Sequence, residues 1–144
     1  MGGQSKKELN ARRVDYLSEA IALERQGDFD AALTSYRLAL RDHPHDPKIL
    51  QNIAIAYSRT GRLEEAIRSY RSALDVAPEL VGAHYGLAFL LLKRSDRVGA
   101  MNHLEAFLSK PLANAEMEQW VRHAEQTLAA LRAGNTDVSS EPQP

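Results

Sequence analysis

Residues 13–46 read RVDYLSEAIALERQGDFDAALTSYRLALRDHPHD, and residues 47–80 read PKILQNIAIAYSRTGRLEEAIRSYRSALDVAPEL. Each stretch has 34 residues, and the two carry the same residue at twelve matching places. The matching pairs are Ala20/Ala54, Ile21/Ile55, Ala22/Ala56, Arg25/Arg59, Gly27/Gly61, Ala32/Ala66, Ser35/Ser69, Tyr36/Tyr70, Arg37/Arg71, Ala39/Ala73, Leu40/Leu74 and Pro44/Pro78. A fixed period of this length indicates a repeat architecture, in which each repeat is one unit of secondary structure that stacks on its neighbours.

The second stretch carries the signals of two consecutive antiparallel helices. Its first apolar residues recur with the spacing of one helical face, at Ile49, Leu50, Ile53, Ala54 and Tyr57. Asp46 is expected to cap the first helix, with Pro47 in its first turn, where a missing N–H costs nothing. Gly61 is expected to end this helix in the left-handed conformation. A second helix is predicted from about Leu63 until Pro78 stops it.

Small residues stand at matching places in the two helices of each repeat. Ala54 in the first helix and Ala66 in the second are expected to be nearly fully buried, because two helix backbones pass closely there. A larger side chain at either place would overpack the junction.

Residues 81–114 form a weaker third copy of the repeat. They keep Ala88, Ala100 and Leu108 at the corresponding places, but Ser95 replaces the glycine and Phe107 stands where an alanine is expected. Terminal repeats are often irregular because one of their sides faces a cap rather than another repeat.

Three further segments surround the repeats. A last helix is predicted over residues 115–133, capped by Asn114, with an apolar stripe that would seal the open end of the stack. Residues 1–12 are predicted to extend the first helix. Residues 134–144 contain one large apolar residue, so they cannot repay the entropy of ordering and are predicted to be a disordered tail.

The order of small residue, glycine, alanine, aromatic, alanine and proline in residues 13–46 and 47–80 resembles the tetratricopeptide repeat. The resemblance covers residues 13–133, counting the capping helix. It implies an all-α fold of about seven helices, in which antiparallel helix pairs stack as a right-handed superhelix. It also implies that the first helices line a concave groove that grips a peptide or a helix of a partner protein.

The groove predicted from this resemblance has an apolar centre and a cationic edge. Its residues are Leu17, Ile21, Arg25, Lys48, Asn52, Ile55, Arg59, Tyr85, Phe89, Leu92 and Lys93. Because Arg25, Arg59 and Lys93 occupy equivalent places, the expected ligand is an amphipathic helix or extended segment with acidic residues along one side. The alternative is that individual apolar residues pack against neighbouring helices and the cations are solvated.

Co-chaperones of this family hold a C-terminal carboxylate with lysine, arginine and asparagine in the groove. Asn52 matches one such place, whereas Leu17, Ile21, Gly82 and Gly86 stand at the others. Without those cations a carboxylate loses its charge-assisted hydrogen bonds, so this form of recognition is not expected.

Composition argues against several other functions. The net charge is −1, without the basic excess of a nucleic-acid partner. The chain has no cysteine, which excludes disulfides and thiolate sites. The longest nearly uncharged run, residues 80–92, is too short to span a bilayer, so no membrane insertion and a cytoplasmic location are expected unless a signal or anchor has been removed.

Catalytic and metal-binding patterns are weak. No nucleophile–base arrangement, phosphate-binding glycine loop or paired carboxylates can be recognised, so neither an enzyme nor a cofactor is expected. His43 and His45 share a turn with two aspartates, but no distant partner completes a metal site. His84, His103 and His123 are read as partly exposed helix residues.

Two functional hypotheses follow from the sequence. The first is a non-catalytic adaptor or scaffold that binds a peptide or helix of a partner in the groove. The alternative is a self-assembly module, in which the same groove or a terminal helix joins copies into a homo-oligomer.

Overall fold

The protein is described by a computed structural model over residues 16–110 and 115–135. Every regular element in these two ranges is helical, which confirms the predicted all-α class. The elements are α1, described over residues 16–25, α2 Phe29–Asp42, α3 Pro47–Arg59, α4 Leu63–Val76, α5 Val81–Lys93, α6 Arg97–Leu108, a 3-10 turn Ala115–Met117, and α7 Glu118–Arg132. None of the helices in these ranges has the length and apolar content needed to cross a bilayer.

Aspartates begin three of the helices. The Asp46 carboxylate accepts hydrogen bonds from the N–H groups of Lys48, at 3.0 Å, and Ile49, at 3.5 Å. Asp28 caps α2 and Asp96 caps α6 in the same way. These contacts satisfy backbone donors that have no partner inside the helix. The predicted cap at Asp46, with a proline in the first turn of α3, is confirmed.

Four helices end in the same backbone conformation. The second residue after the end of each helix has a positive φ: 81° at Gly27, 78° at Gly61, 64° at Ser95 and 83° at Gly134. In each case the N–H of the next residue donates to the carbonyl five positions earlier, at 2.8–2.9 Å. The prediction for Gly61 is confirmed, and Ser95 adopts the same conformation although it carries a side chain.

The chain folds as two compact units, Met1–Pro78 and Glu79–Pro144, here called unit 1 and unit 2. In unit 1, α3 packs against both α2 and α4; in unit 2, α6 packs against both α5 and α7. The core around α1, α2 and α3 contains Ala20, Ala32, Leu33, Tyr36, Ala39, Ile49, Ile53 and Ala56. The core of unit 2 contains Tyr85, Ala88, Phe89, Leu104, Phe107, Ala124, Leu128 and Leu131.

Alanines occupy the most buried places of the repeat. Ala54 and Ala66 are 0% exposed, which confirms the prediction for both. The equivalent alanines of the other repeats are also fully buried: Ala20, Ala32, Ala88 and Ala100. A side chain of one carbon lets helix backbones approach closely without leaving a void.

The C-terminal helix differs from its prediction at its start. A 3-10 turn covers Ala115–Met117, and α7 begins at Glu118 rather than at residue 115. Such tighter turns are frequent at helix N-termini. Gly134 and Asn135, assigned to the tail, close α7 through the bond from Asn135 N–H to the Ala130 carbonyl, at 2.9 Å. The predicted extension at residues 1–12, the cap at residue 114 and residues 136–144 of the tail lie outside the described residues.

Tyr36 joins α2 to α1 through a buried polar contact. The side chain is fully buried, and its hydroxyl donates to Glu24 Oε2 at 3.0 Å. Burial raises the pKa of the Tyr36 phenol well above its ordinary value, and the Glu24 charge and hydrogen bond raise it further. The phenol therefore keeps its proton in the folded chain at pH values where an exposed tyrosine has lost it.

Replacing Ser95 by glycine is expected to raise the free energy of unfolding by about 0.5–1 kcal/mol, because glycine adopts positive φ without a Cβ penalty. Chemical denaturation of the parent and Ser95→Gly measures this gain. Gly61→Ser, at the equivalent place in unit 1, is the matched control, and its free energy of unfolding should be lower than that of the parent by a similar amount. Equal stabilities of the parent and Ser95→Gly would contradict the expectation.

The buried phenol predicts a stability loss in alkali that depends on Tyr36. Below pH about 10 the phenol is protonated in both states; above it the unfolded chain releases this proton while the folded chain keeps it. The free energy of unfolding should therefore fall more steeply with pH in the parent than in Tyr36→Phe, by about 1.4 kcal/mol per pH unit. Urea unfolding between pH 8 and pH 11.5 tests this, and parallel curves above pH 10 would refute it.

Candidate functional site

In unit 1 the structure leaves the predicted groove residues half-buried or exposed. Leu17 and Ile21 of α1 pack against the core but stay partly exposed, and Ile55 of α3 is half-buried. The side chains of Arg25 and Lys48 are exposed, and among the described residues neither forms an ion pair. Within the described part of unit 1, half-buried aliphatic residues thus occur together with two exposed cations that have no carboxylate within ion-pair distance.

The two remaining predicted residues of unit 1 are also at least partly accessible. Asn52, on the same helix as Ile55, is half-buried. Arg59 is exposed, and its guanidinium carbon lies 5.8 Å from the centroid of the Phe29 ring at the start of α2. A cation over an aromatic face is held in place electrostatically, so Arg59 is partly oriented within the chain itself.

A second group of cations in unit 1 was not foreseen from the sequence. The Arg37 Nη2 donates to the Tyr57 hydroxyl at 2.6 Å, and the guanidinium carbons of Arg37 and Arg62 each lie 5.8 Å from the Tyr57 ring centroid. Arg62 also pairs with the exposed Asp30 at 3.8 Å. This cluster was difficult to predict because an arginine considered alone is expected to be a solvated surface residue.

In unit 2 the prediction that Tyr85 and Phe89 face a partner is wrong. Phe89 is 0% exposed and Tyr85 is 9% exposed. The His123 ring of α7 stacks on Phe89, with centroids 4.9 Å apart, and the Trp120 ring meets Tyr85 edge-on at 5.5 Å. The capping helix α7 therefore covers the aromatic face of α5 that the sequence argument left open to a ligand.

The composition of α5 explains this burial. Its sequence VGAHYGLAFLLLK has one charged residue, and its buried residues fall on every side of the helix. A helix that is apolar all round must be covered on all sides. Leu92 is partly buried against the unit 2 core, and of the predicted residues of α5 only Lys93 is exposed. The apolar residues on every side of α5 could have indicated from the sequence that this helix does not line an open groove.

Two histidines that the sequence argument left apart come together in unit 2. His84 of α5 and His103 of α6 are both partly buried, and their Nδ1 atoms lie 3.0 Å apart. The prediction that they are partly exposed residues of different helices is confirmed, but it did not include this contact. The two residues lie on consecutive helices that pack against each other. Aligning these helices in antiparallel register could have predicted the contact from the sequence.

The turn histidines behave differently. His43 and His45 are exposed beside Pro44. Across residues 16–110 and 115–135, no three side chains of histidine, aspartate or glutamate gather in a way that could hold a metal ion.

Comparison with known proteins agrees with this fold. A family model described as tetratricopeptide repeat matches residues 17–79 and 52–109. No curated protein matches the sequence significantly. The structure resembles the Yersinia enterocolitica type III secretion chaperone SycD in complex with a peptide of the translocator YopD, with 15% identity over 83% of this chain and 92% of SycD and a TM-score of 0.77.

Two further solved structures show the same fold. The TPR2B domain of yeast Sti1, in a complex with pHsp70, has 18% identity over 87% of this chain and 99% of that domain, with a TM-score of 0.74. The first TPR of Spaghetti (RPAP3), bound to the HSP90 peptide SRMEEVD, has 20% identity over 81% of this chain and 93% of its own, with a TM-score of 0.69. At these identities the likeness concerns the fold alone.

Because Phe89 is part of the unit 2 core, Phe89→Ala should lower the free energy of unfolding by about 3–5 kcal/mol. Thermal or urea unfolding followed by circular dichroism measures the loss. Lys93→Ala, at the exposed C-terminal end of α5, is the matched control and should change stability by less than about 0.5 kcal/mol. A Phe89→Ala chain as stable as the parent would show that α7 does not pack on Phe89.

Proposed function

This chain belongs to the tetratricopeptide repeat family, and from that premise we propose that it is a non-catalytic adaptor whose unit 1 binds a segment of a partner protein. The observation that carries the proposal is the surface of unit 1, where the half-buried Ile21 and Ile55 accompany the exposed Arg25 and Lys48. Apolar side chains supply binding energy when they are desolvated, and cations select and steer the ligand.

The similar proteins support the use of this fold for binding polypeptides. SycD was solved with a peptide of YopD, and the Spaghetti domain with a peptide of HSP90. In this chain the family's lysine, arginine and asparagine set for a terminal carboxylate is represented by Asn52 alone. We therefore propose an internal segment of the partner, rather than its C-terminus, as the ligand.

The side chains of unit 1 indicate which kind of partner segment would bind there. The aliphatic side chains of Leu17, Ile21 and Ile55 favour apolar residues that recur along one face of a helix or an extended strand. Arg25 and Lys48 favour acidic residues on the adjoining face, since charge-assisted hydrogen bonds to carboxylates are among the stronger polar contacts. The proposed ligand is thus an amphipathic, acidic segment.

The aromatic residues of α5 have no direct part in this proposal. Tyr85 and Phe89 are covered by Trp120 and His123. Contact with them would require α7 to leave the unit 2 core, at a cost comparable to that of opening the core itself. The proposal therefore assigns the binding energy to unit 1.

Self-assembly is the competing proposal, because the apolar surface of unit 1 could equally accept a segment of another copy. Sedimentation-velocity ultracentrifugation of the isolated chain over a hundredfold range of concentration separates the two. A concentration-dependent oligomer that Ile55→Asp abolishes would favour assembly. A monomer throughout that range favours a different partner.

Ile55→Asp should weaken ligand binding by about 2 kcal/mol or more, because it places a charge in the desolvated centre of the contact. Arg25→Ala should weaken ligand binding by less than about 1 kcal/mol, and this loss should become smaller as the salt concentration rises. Random peptides selected on the immobilised chain provide the ligands, and calorimetry at two salt concentrations provides the affinities. Val98→Asp is the matched control, since Val98 is 70% exposed on α6 of unit 2. Selected peptides that bind the parent and Ile55→Asp equally would refute the proposal.

A further inference from the structure

The side chains of His84 and His103 bring two imidazole nitrogens within hydrogen-bond distance of each other. Two nitrogens at this distance can also bind one metal ion. The two Nδ1 atoms lie 3.0 Å apart, and the rings are tilted by 31° with centroids 5.2 Å apart. Two Nδ1 atoms at this distance need one donor and one acceptor, so one imidazole carries its proton on Nδ1 and the other presents a lone pair there. One proton thus lies between two imidazole nitrogens, and imidazole nitrogen is also a common ligand of divalent transition metals.

A divalent metal ion fits the same pair of atoms. Metal–imidazole bonds are about 2.0–2.1 Å long, so two nitrogens at neighbouring 90° positions stand about 2.9 Å apart, against about 3.4 Å in a tetrahedral site. The observed separation is close to the 90° value. We propose that His84 and His103 form a two-imidazole site for a divalent transition metal, with Ni²⁺ and Cu²⁺ favoured over Zn²⁺, in which the ion displaces the shared proton and lies to one side of the line that joins the two nitrogens.

The surroundings of the pair suit such a site. Both side chains are partly buried on the packed helices α5 and α6, so they are held in place before any ion arrives and still have a path to solvent. Among the described residues no third histidine, aspartate or glutamate joins them to form a closed site.

The turn histidines provide the contrast. His43 and His45 are exposed and separated by Pro44 in the turn between α2 and α3. A metal there would have to order two solvated side chains, whereas His84 and His103 are already in contact. The five histidines of the chain are all described, so the two pairs can be tested against each other.

Binding at this pair would link metal to the stability of unit 2. An ion that binds only the folded chain stabilises it, and the ion competes with protons for the same lone pairs. Affinity should therefore fall as the pH is lowered, and the melting temperature should rise with added metal. This inference does not rest on the proposed partner surface of unit 1, so either can fail alone.

The test is calorimetric titration of the full, tag-free chain with NiCl₂ at pH 7.5, alongside His84→Gln, His103→Gln and the double variant His43→Gln/His45→Gln. The parent should bind one Ni²⁺ per chain at this pair. Either helix variant should lose at least about tenfold in affinity, because one of two ligands is missing. The turn variant should bind like the parent and show the same rise in melting temperature.

Several results would overturn the inference: no binding by the parent, equal affinity in the parent and both helix variants, or loss of binding in the turn variant alone. Because a glutamine in the helix pair could disturb folding, a second measurement uses the unaltered chain. Long-range proton–nitrogen spectra during a Ni²⁺ titration should lose the ring signals of His84 and His103 first, because Ni²⁺ is paramagnetic and broadens the signals of its ligands. Ring signals of both residues that stay sharp at saturating Ni²⁺ would rule out the site.

Discussion

Close approach of helix backbones at alanine is the constraint on which the rest of this structure depends. Six alanines at two places of the repeat are fully buried, namely Ala20, Ala32, Ala54, Ala66, Ala88 and Ala100. Because none of them projects beyond Cβ, the larger side chains around them can close each core without voids. The turns then have to reverse the chain tightly, and positive φ at Gly27, Gly61 and Ser95 does this after α1, α3 and α5.

With the packing of each pair fixed in this way, the two units differ in what they leave uncovered. In unit 1, α1 and α3 keep aliphatic residues such as Ile21 and Ile55 partly exposed beside cations. In unit 2, α5 is apolar on every side, and α7 covers its aromatic residues. The same repeat pattern thus leaves aliphatic side chains partly exposed in one unit and closes the core in the other.

The polar contacts inside each unit also differ in character. In unit 1 a buried phenol meets a carboxylate, and Tyr36 holds its proton firmly. In unit 2 the Nδ1 atoms of two imidazoles lie 3.0 Å apart, so one of them donates a hydrogen bond to the other. A helix pair holds such contacts at fixed distances because both side chains stand on packed backbone. Each of these contacts lies within one unit, so the binding proposed for unit 1 and the metal site proposed for unit 2 can be tested separately.

The sequence by itself determined the helix pairs, the caps and the small residues, because these follow from local signals that recur with a fixed period. Asp46, Pro47 and Gly61 each act within one turn of their own position, so no knowledge of distant contacts was needed. The sequence also identified aliphatic and cationic residues of unit 1 that the structure leaves half-buried or exposed. Only the tertiary structure decided that α7 covers Phe89 and that His84 meets His103. Both depend on which helix lies against which, and helical periodicity gives the face of a residue but not the neighbour that covers it.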